Sequence, residues 1–461
     1  MNDVQSVWEA LGGDPALLPR VSTVAHRETL DARLPVRELA RTCVAACALA
    51  AAELGARRAG LAEVPAVRVD DAAVAAAFHS ERLLRIDGRA PVGFAPLSRF
   101  WRTADGWVRT HANYPHHRRR LLGALGLPED ASVERVAAVL AERTAADVEE
   151  RVYDAGGLAV ALRTPAQWAG HEQAAEVARR PLVECATAGA AHARVLPPVA
   201  ASDLLPAAGL RVLDLTRVIA GPVGTRTLAL LGADVLRIDP PWLPELPDQH
   251  ADTDFGKKSA TLDLRTDRET FEELLAGADV VVTGYRPGSL DRFGLTPSAA
   301  AERWPGLVVA QVSAWGTYGP WGGRRGFDSL VQAATGIAVT EGSDGRPGAL
   351  PAQALDHGTG YLLAAAVLRA LTERTYDGRG RSARLALART AAWLTHGIER
   401  DPAPDGPAAG SAGEGTEPRL AERDSPLGHL RYAPPAVSFT DGPTDWARPP
   451  GRWGTDEPRW D

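Results

Sequence analysis

A chain of 461 residues with 45% apolar and 24% charged residues can bury the cores of two or three domains and reads as a globular protein. Its formal net charge of −7, with signs interspersed, supplies no basic face for nucleic acid, and "HHRRRLL" reads as a solvated face. The cysteines Cys43, Cys47 and Cys185 form neither a disulfide framework nor a Cys-x-x-Cys pair. The start "MNDVQSVWEALGGDP" has no leader pattern, and no uninterrupted run of about 18 apolar residues occurs. A cytoplasmic setting with no membrane partner is expected.

The first two hundred residues read as mostly helical, with Ala-rich periodic segments such as "ELARTCVAACALAAAELGARRAG" and "SVERVAAVLAERTAADVEERVYDAG". Between them, "FWRTADGWVRTH" places β-rich residues around an Asp-Gly turn and predicts a hairpin. After "RVLPPVAASDLLPAAG" the pattern changes. The aliphatic runs "LRVLDLT", "ADVLRID", "ADVVVTGY" and "LVVAQVSAW" alternate with helical stretches, as in a parallel sheet covered by helices on both faces. Residues 401–425, rich in Pro, Gly, Ala and Glu, read as a flexible connector before a short tail. The segment "AACALAAAELGARRAG…" weakly repeats "LAAAVLRALTERTYDGRG…", each an Ala/Leu helix, an Arg/Gly turn and then a strand.

Two places draw attention as chemistry. The strand "GLRVLDLT" runs into "RVIAGPVGTRTLALLGADVLRID", a strand, Gly-rich turn, helix and strand ending on Asp239, but Gly221-Pro222-Val223-Gly224 lacks the spacing of a nicotinamide-binding turn. Its glycines either bring a helix N-terminus near a nucleotide or only allow tight packing. In "PAQALDHGTGYLLAAAVLRAL", Asp356 precedes a Gly-Thr-Gly and an uncharged helix. On residue chemistry alone an acid there is a good N-cap.

The words "LDLTRVIAGPVGTRTLALLGADVLRIDPP", "FGKKSATLDLRT", "ADVVVTGYRPGSLDRFGL", "VSAWGTYGPWGGRRGFDSLVQAATG" and "LDHGTGYLLAAAVLRALTER" resemble, in order and spacing, the large domain of the class III (CaiB/BaiF-type) CoA-transferase family. The resemblance implies an α/β fold, with a Rossmann-like parallel-sheet large domain and a smaller α+β domain. It implies an enzyme that moves CoA from an acyl-CoA to a carboxylic acid, without a metal, through Asp356 as a covalent nucleophile. Gly358 and Gly360 would leave room for the thioester and its oxyanion. Coenzyme A would be held near Val218, Ala220, Lys257, Tyr285 and Arg292. The family also contains racemases of 2-methylacyl-CoA esters, so an acyl-CoA racemase or epimerase is the alternative, with a non-catalytic CoA-binding paralogue as the third reading.

Departures from the family pattern bear on substrate. Ile219 and Gly284 stand where formyl-CoA transferases carry Gln and many members carry Asn, which disfavours a small dicarboxylate. Pro240 replaces an Arg that often follows the second strand, and Phe327 stands where racemases carry a His base. His357, beside Asp356, reads as a structural histidine. The segment "FWRTADGWVRTHANYPHHRRRLLGALGLPED" through "ALRTPAQWAGHEQA" resembles the family's small domain, which normally follows the large one and here comes first. The expected organisation is therefore 1–98 as the end of one large domain, 99–195 as the small domain, 208–400 as the catalytic domain, 401–425 as linker and 426–461 as a tail returning to the large domain. The position equivalent to Asp356 in the first part falls near Val36, Arg37 and Glu38, so one active centre per chain is expected, in a homodimer or a pseudo-dimeric monomer.

Overall fold

The aliphatic runs predicted as strands assemble into one sheet in the order Lys257–Thr261, Asp234–Asp239, Arg211–Leu215, Val280–Thr283, Val308–Ser313, Arg379–Ala386 and Glu184–Ala191. The computed structural model describes residues 2–191, 194–401 and 418–460. Six of these strands are parallel, and Glu184–Ala191 pairs antiparallel at one edge. Numbered from Arg211–Leu215 along the chain, the parallel strands lie 3-2-1-4-5-6, the order of a Rossmann-like sheet. Val280, Val281 and Val282 are fully buried, because a central parallel strand is covered on both faces and cannot alternate polar with apolar. The direction of strand addition reverses between Arg211–Leu215 and Val280–Thr283, and the loops leaving these two strands diverge to open a crevice.

The predicted hairpin forms: Phe100–Arg102 and Trp107–Thr110 pair around the Asp105-Gly106 turn, and Ala159–Ala161 joins them. Helices Pro115–Leu125, Val133–Ala141 and Ala145–Asp154 close this smaller α+β unit over Trp101, Val108, Leu121, Leu122, Leu140 and Val152.

The weak sequence repeat is a structural repeat. Helices Val36–Ala59 and Ala354–Asp377 both have 24 residues. Pro35 before the first has φ −76° and ψ 61°, and Gln353 before the second has φ −75° and ψ 62°. Gly60 and Gly378 end them in the left-handed conformation that glycine tolerates. Each helix leads into a strand and a further helix: Val67–Asp70 then Asp71–Phe78, and Arg379–Ala386 then Leu387–His396. Each of those strands pairs in parallel with an earlier one, Val21–Val24 or Val308–Ser313. The two long helices pack against each other. A Cβ on Gly358 would come within 2.8 Å of Leu39 and 3.4 Å of the Cys43 sulfur, so glycine there permits the close approach. By length and apolarity alone Val36–Ala59 could cross a membrane, but most of it is buried in this fold.

Of the expected connector, 402–417 lie outside the described residues, while Ala421–Ser425 is a strand paired with Gly428–Tyr432, which in turn pairs with Arg85–Ile86. The following chain crosses the large domain on indole hydrogen bonds. Trp446 Nε1 donates to the Arg226 carbonyl at 2.9 Å, Trp453 Nε1 to Asp239 at 3.0 Å and Trp460 Nε1 to the Leu274 carbonyl at 3.0 Å.

Candidate active site

Asp356 is the third residue of helix Ala354–Asp377 and does not cap it. The cap comes from another helix: Asp328, at the start of Asp328–Ala334, accepts the Leu355 and Asp356 amides on Oδ2 at 2.9 and 3.0 Å. Its other oxygen accepts from the Gln332 side chain, whose Oε1 in turn accepts the Leu350 amide at 2.9 Å. Burial raises the Asp328 pKa to about 6, and these bonds at the helix N-terminus limit the rise by stabilising its charge. Asp356 is thereby released from structural duty, and among the described residues no hydrogen bond reaches its carboxyl. It is 6% exposed. Burial first, then the charges of Asp328 and Glu81, push its pKa well above the usual carboxylate range.

Two cavities meet at Asp356, with Val218 and Phe327 also common to both walls. The first, about 600 Å³, opens at the carboxyl ends of the parallel strands, beside Gly284, Tyr285, Val312 and Ser313. Arginines dominate its rim. Arg120 and Arg325 both donate to the Gly156 carbonyl, at 3.0 and 3.4 Å, and Arg286 lies close by. Among the described residues none of these three pairs with a carboxylate. Burial, then the neighbouring Arg120 and Arg286, lower the Arg325 pKa, which is the signature of like charges crowded together. Such a cluster is suited to an anionic ligand. The second cavity, about 690 Å³, lies between the loop around Pro91–Phe94 and Ile219, Leu246 and Pro247.

The wall between the cavities is locally strained. Val218 has φ +71°, a left-handed conformation that a β-branched residue adopts at a cost of about 1–3 kcal/mol. Its amide donates to Glu245 at 3.1 Å, and Glu245 is buried against Arg237 at 3.1 Å and Arg217 at 3.4 Å. Burial opposes ionisation of Glu245, but the two guanidinium charges outweigh it and hold its pKa low.

Among the residues expected from sequence, Val218, Ala220, Tyr285 and Asp356 line the first cavity. Tyr285 Oη is buried without a partner among the described residues. The other four expectations are corrected. Lys257 is buried, with Nζ 2.9 Å from Asp214 and 2.7 Å from the Thr225 hydroxyl, so it neutralises a core carboxylate and lines neither cavity. Arg292 is exposed and lies over the ring of its neighbour Phe293, outside both cavity walls. Gly358 faces Leu39, and a Cβ on Gly360 would come within 2.5 Å of the Ala220 carbonyl, so neighbouring helices fill the space that these glycines leave. The expected Gly-rich turn is instead the first turn of helix Ala220–Leu230, and glycine there serves packing, since a Cβ on Gly221 would clash with Thr216 at 2.4 Å. His357 is fully buried and lines neither cavity. Its Nε2 lies 3.0 Å from Glu81 and its ring stacks on Phe78.

Sequence reasoning missed Asp328, the arginine cluster and a histidine group. The run "HHRRRLL" is not merely a solvated face: His117 is buried, and His116, Arg119 and Arg120 line the first cavity. The i, i+3 and i, i+4 spacing of His116 and His117 to Arg120 was the available signal. His111 lies face to face with Phe327, centroids 3.6 Å apart, and its Nδ1 is buried without a partner among the described residues. Burial, then the charge of Arg109, lowers its pKa to about 3, leaving it neutral at neutral pH.

Residues 207–417 match the model of CoA-transferase family III. The chain is 31% identical over 335 residues to acetyl-coenzyme A transferase nodX of Hypoxylon pulicicidum, covering 66% of this chain and 55% of that one. It is 33% identical over 254 residues to the formyl-CoA:oxalate CoA-transferase of Streptomyces coelicolor, covering 49% and 62%. The crystal structure of Rv3272 from M. tuberculosis aligns at 36% identity and a TM-score of 0.38, covering 41% of this chain and 55% of that one. The chain thus spans between half and two thirds of the length of these relatives. Residues 207–417, which carry Asp356 and all six parallel strands, are the part of the chain that matches CoA-transferase family III.

Proposed function

We propose that this chain is an acyl-CoA:carboxylate CoA-transferase in which Asp356 is the nucleophile. The observation that carries the reading is the place of Asp356 at the junction of an arginine-rimmed cavity and a mainly apolar one. CoA carries its negative charge at the nucleotide end, so its phosphates belong with Arg120, Arg286 and Arg325, and the thioester reaches the junction. The ionised carboxylate of Asp356 attacks the thioester carbonyl, the C–S bond breaks, and CoA thiolate leaves an acyl-aspartyl anhydride. The thiolate attacks the aspartyl carbonyl, releasing the donor acid as a carboxylate and leaving an aspartyl-CoA thioester. An acceptor carboxylate then attacks that thioester and again frees thiolate. The thiolate takes the new acyl group and restores Asp356, so one thioester and one carboxylate exchange partners overall.

One observation favours a second reading. His111 lines the same cavity as Asp356, beside the Phe327 that stands where racemases carry a base. A neutral imidazole and Asp356 would form an acid/base pair for epimerisation next to a thioester. Deuterium incorporation at the α-carbon of an acyl-CoA in D2O, without a carboxylic acceptor, identifies that activity.

The test of the transferase reading is capture of the covalent enzyme. Acyl-CoA followed by borohydride or hydroxylamine is expected to modify Asp356, read by mass spectrometry, and Asp356→Ala abolishes the label. An adduct that survives in Asp356→Ala sinks the assignment. Arg325→Gln is expected to raise KM for acyl-CoA about 10-fold, with kcat changed less than about 3-fold, since the contact is made equally in ground and transition states.

A further inference from the structure

The second cavity carries information about the acid being exchanged. Its outer wall is the loop containing Pro91, Val92 and Phe94, whose apolar side chains are open to solvent: Val92 is 78% and Phe94 46% exposed. Exposed apolar side chains gathered in a concave wall mark a place where apolar matter is received. Ile219 and Leu246 face them from the large domain.

The loop is held by its polar backbone rather than by burial of those side chains. The Val92 amide donates to Asp248 at 2.8 Å and the Ala95 amide to Asn113 at 3.0 Å. The Arg109 guanidinium sits 4.7 Å from the Phe94 ring centroid and holds it in place.

The arginines lining this cavity are already matched. Arg89 pairs with Asp248 at 2.5 Å, and Arg82 donates to the Pro351 carbonyl at 2.6 Å with Glu81 3.7 Å away. Asp328 is occupied by the helix cap. Arg109, which has no carboxylate partner among the described residues, is buried against Phe94 and does not line the cavity, so a second carboxylate on the substrate would be desolvated beside Glu81, Asp248 and Asp328, and among the described lining residues no arginine is unpaired to receive it.

We propose that the exchanged acids are monocarboxylic acids with a bulky apolar body, seated on Val92, Phe94, Ile219 and Leu246, and that small dicarboxylates are excluded. This rests on the transferase reading of Asp356. The donor's acyl group and the acceptor's hydrocarbon body would occupy the same cavity in turn, so the preference applies to both half-reactions.

The experiment measures the rate of hydroxylamine-trapped label on Asp356 in the full chain with octanoyl-, phenylacetyl-, acetyl- and oxalyl-CoA as donors. The octanoyl and phenylacetyl donors are expected to exceed acetyl by at least about 10-fold in kcat/KM and oxalyl by at least about 100-fold. Val92→Asp, at an exposed position, and Phe94→Asp are each expected to cut the octanoyl-to-acetyl ratio about 10-fold. Label on Asp356 from oxalyl-CoA as fast as from octanoyl-CoA overturns the apolar assignment and leaves the transferase reading standing. An octanoyl-to-acetyl ratio unchanged in both variants overturns it equally. No label from any donor sinks the transferase reading and this inference with it.

Discussion

At the scale of single residues, the site depends on two carboxylates given opposite tasks. Asp328 receives two backbone amides and the Gln332 amide, while Asp356 receives none and is pushed up by burial and by the charge of its neighbour. The nucleophile must be ionised, so kcat/KM is expected to rise with pH along a limb that lies above the ordinary carboxylate range. Asp328→Asn removes a negative neighbour and should move that limb to lower pH, which pH–rate profiles of the two proteins would reveal. The linkage has a definite sign. A carboxyl whose pKa is raised by folding contributes stability only while protonated, and this contribution is lost as pH rises through the folded-state value. Asp356→Asn is therefore expected to be inactive yet to melt on the order of 1–3 °C higher than the parent at pH 8, with the gain vanishing near pH 4. Lys257 is the opposite case, a charge placed for the fold. Lys257→Ala strands Asp214 in the core and should lower unfolding free energy by about 3–5 kcal/mol in denaturant titration.

At the scale of elements, what the sequence made legible and what it hid have physical reasons. The β-branched runs 280–282 and 308–309 and the Asp-Gly hairpin were readable because backbone preference and burial agree there. The arginine cavity was hidden because it gathers Arg120, Arg286 and Arg325 from separated loops and helices, and no local pattern records that meeting. Asp328 was hidden for the same reason, since it caps a helix beginning 26 residues later. The glycines of "DHGTG" misled because a small residue looks alike whether it makes room for a ligand or for a helix. Here the room at Gly358 is taken by helix Val36–Ala59 and that at Gly360 by helix Ala220–Leu230. Gly358→Val is accordingly expected to overpack the contact with Leu39 and Cys43 and to cost about 1–3 kcal/mol, measurable as a lower melting temperature. The variant Leu39→Ala should recover part of that loss when combined with it, because the two positions share one contact.

At the scale of the whole molecule, the two long helices give the chain two geometrically equivalent positions for an acid, and only one is left free. Counting from Pro35 and from Gln353, Glu38 occupies the place of Asp356. Arg37 lies 2.6 Å from the Glu38 carboxylate, and the Asp401 amide donates to the same oxygen at 3.3 Å, so the acid of the first repeat is neutralised by its neighbour. The first repeat has instead become a supplier of walls to the second. Glu81 pairs with His357, and Arg82 and Phe94 line the apolar cavity next to Asp356. A chain built this way should carry one reactive carboxyl. Exhaustive acyl-CoA and borohydride treatment is expected to label the 48.8 kDa chain once, at Asp356, with Glu38 unmodified. Arg37→Ala frees the Glu38 carboxylate of its partner, but Glu38 lines neither of the two cavities that meet at Asp356, so it should still take no label. A second label at Glu38 in the parent protein would mean that both repeats kept the chemistry, and would overturn the division of labour argued from the ion pair with Arg37.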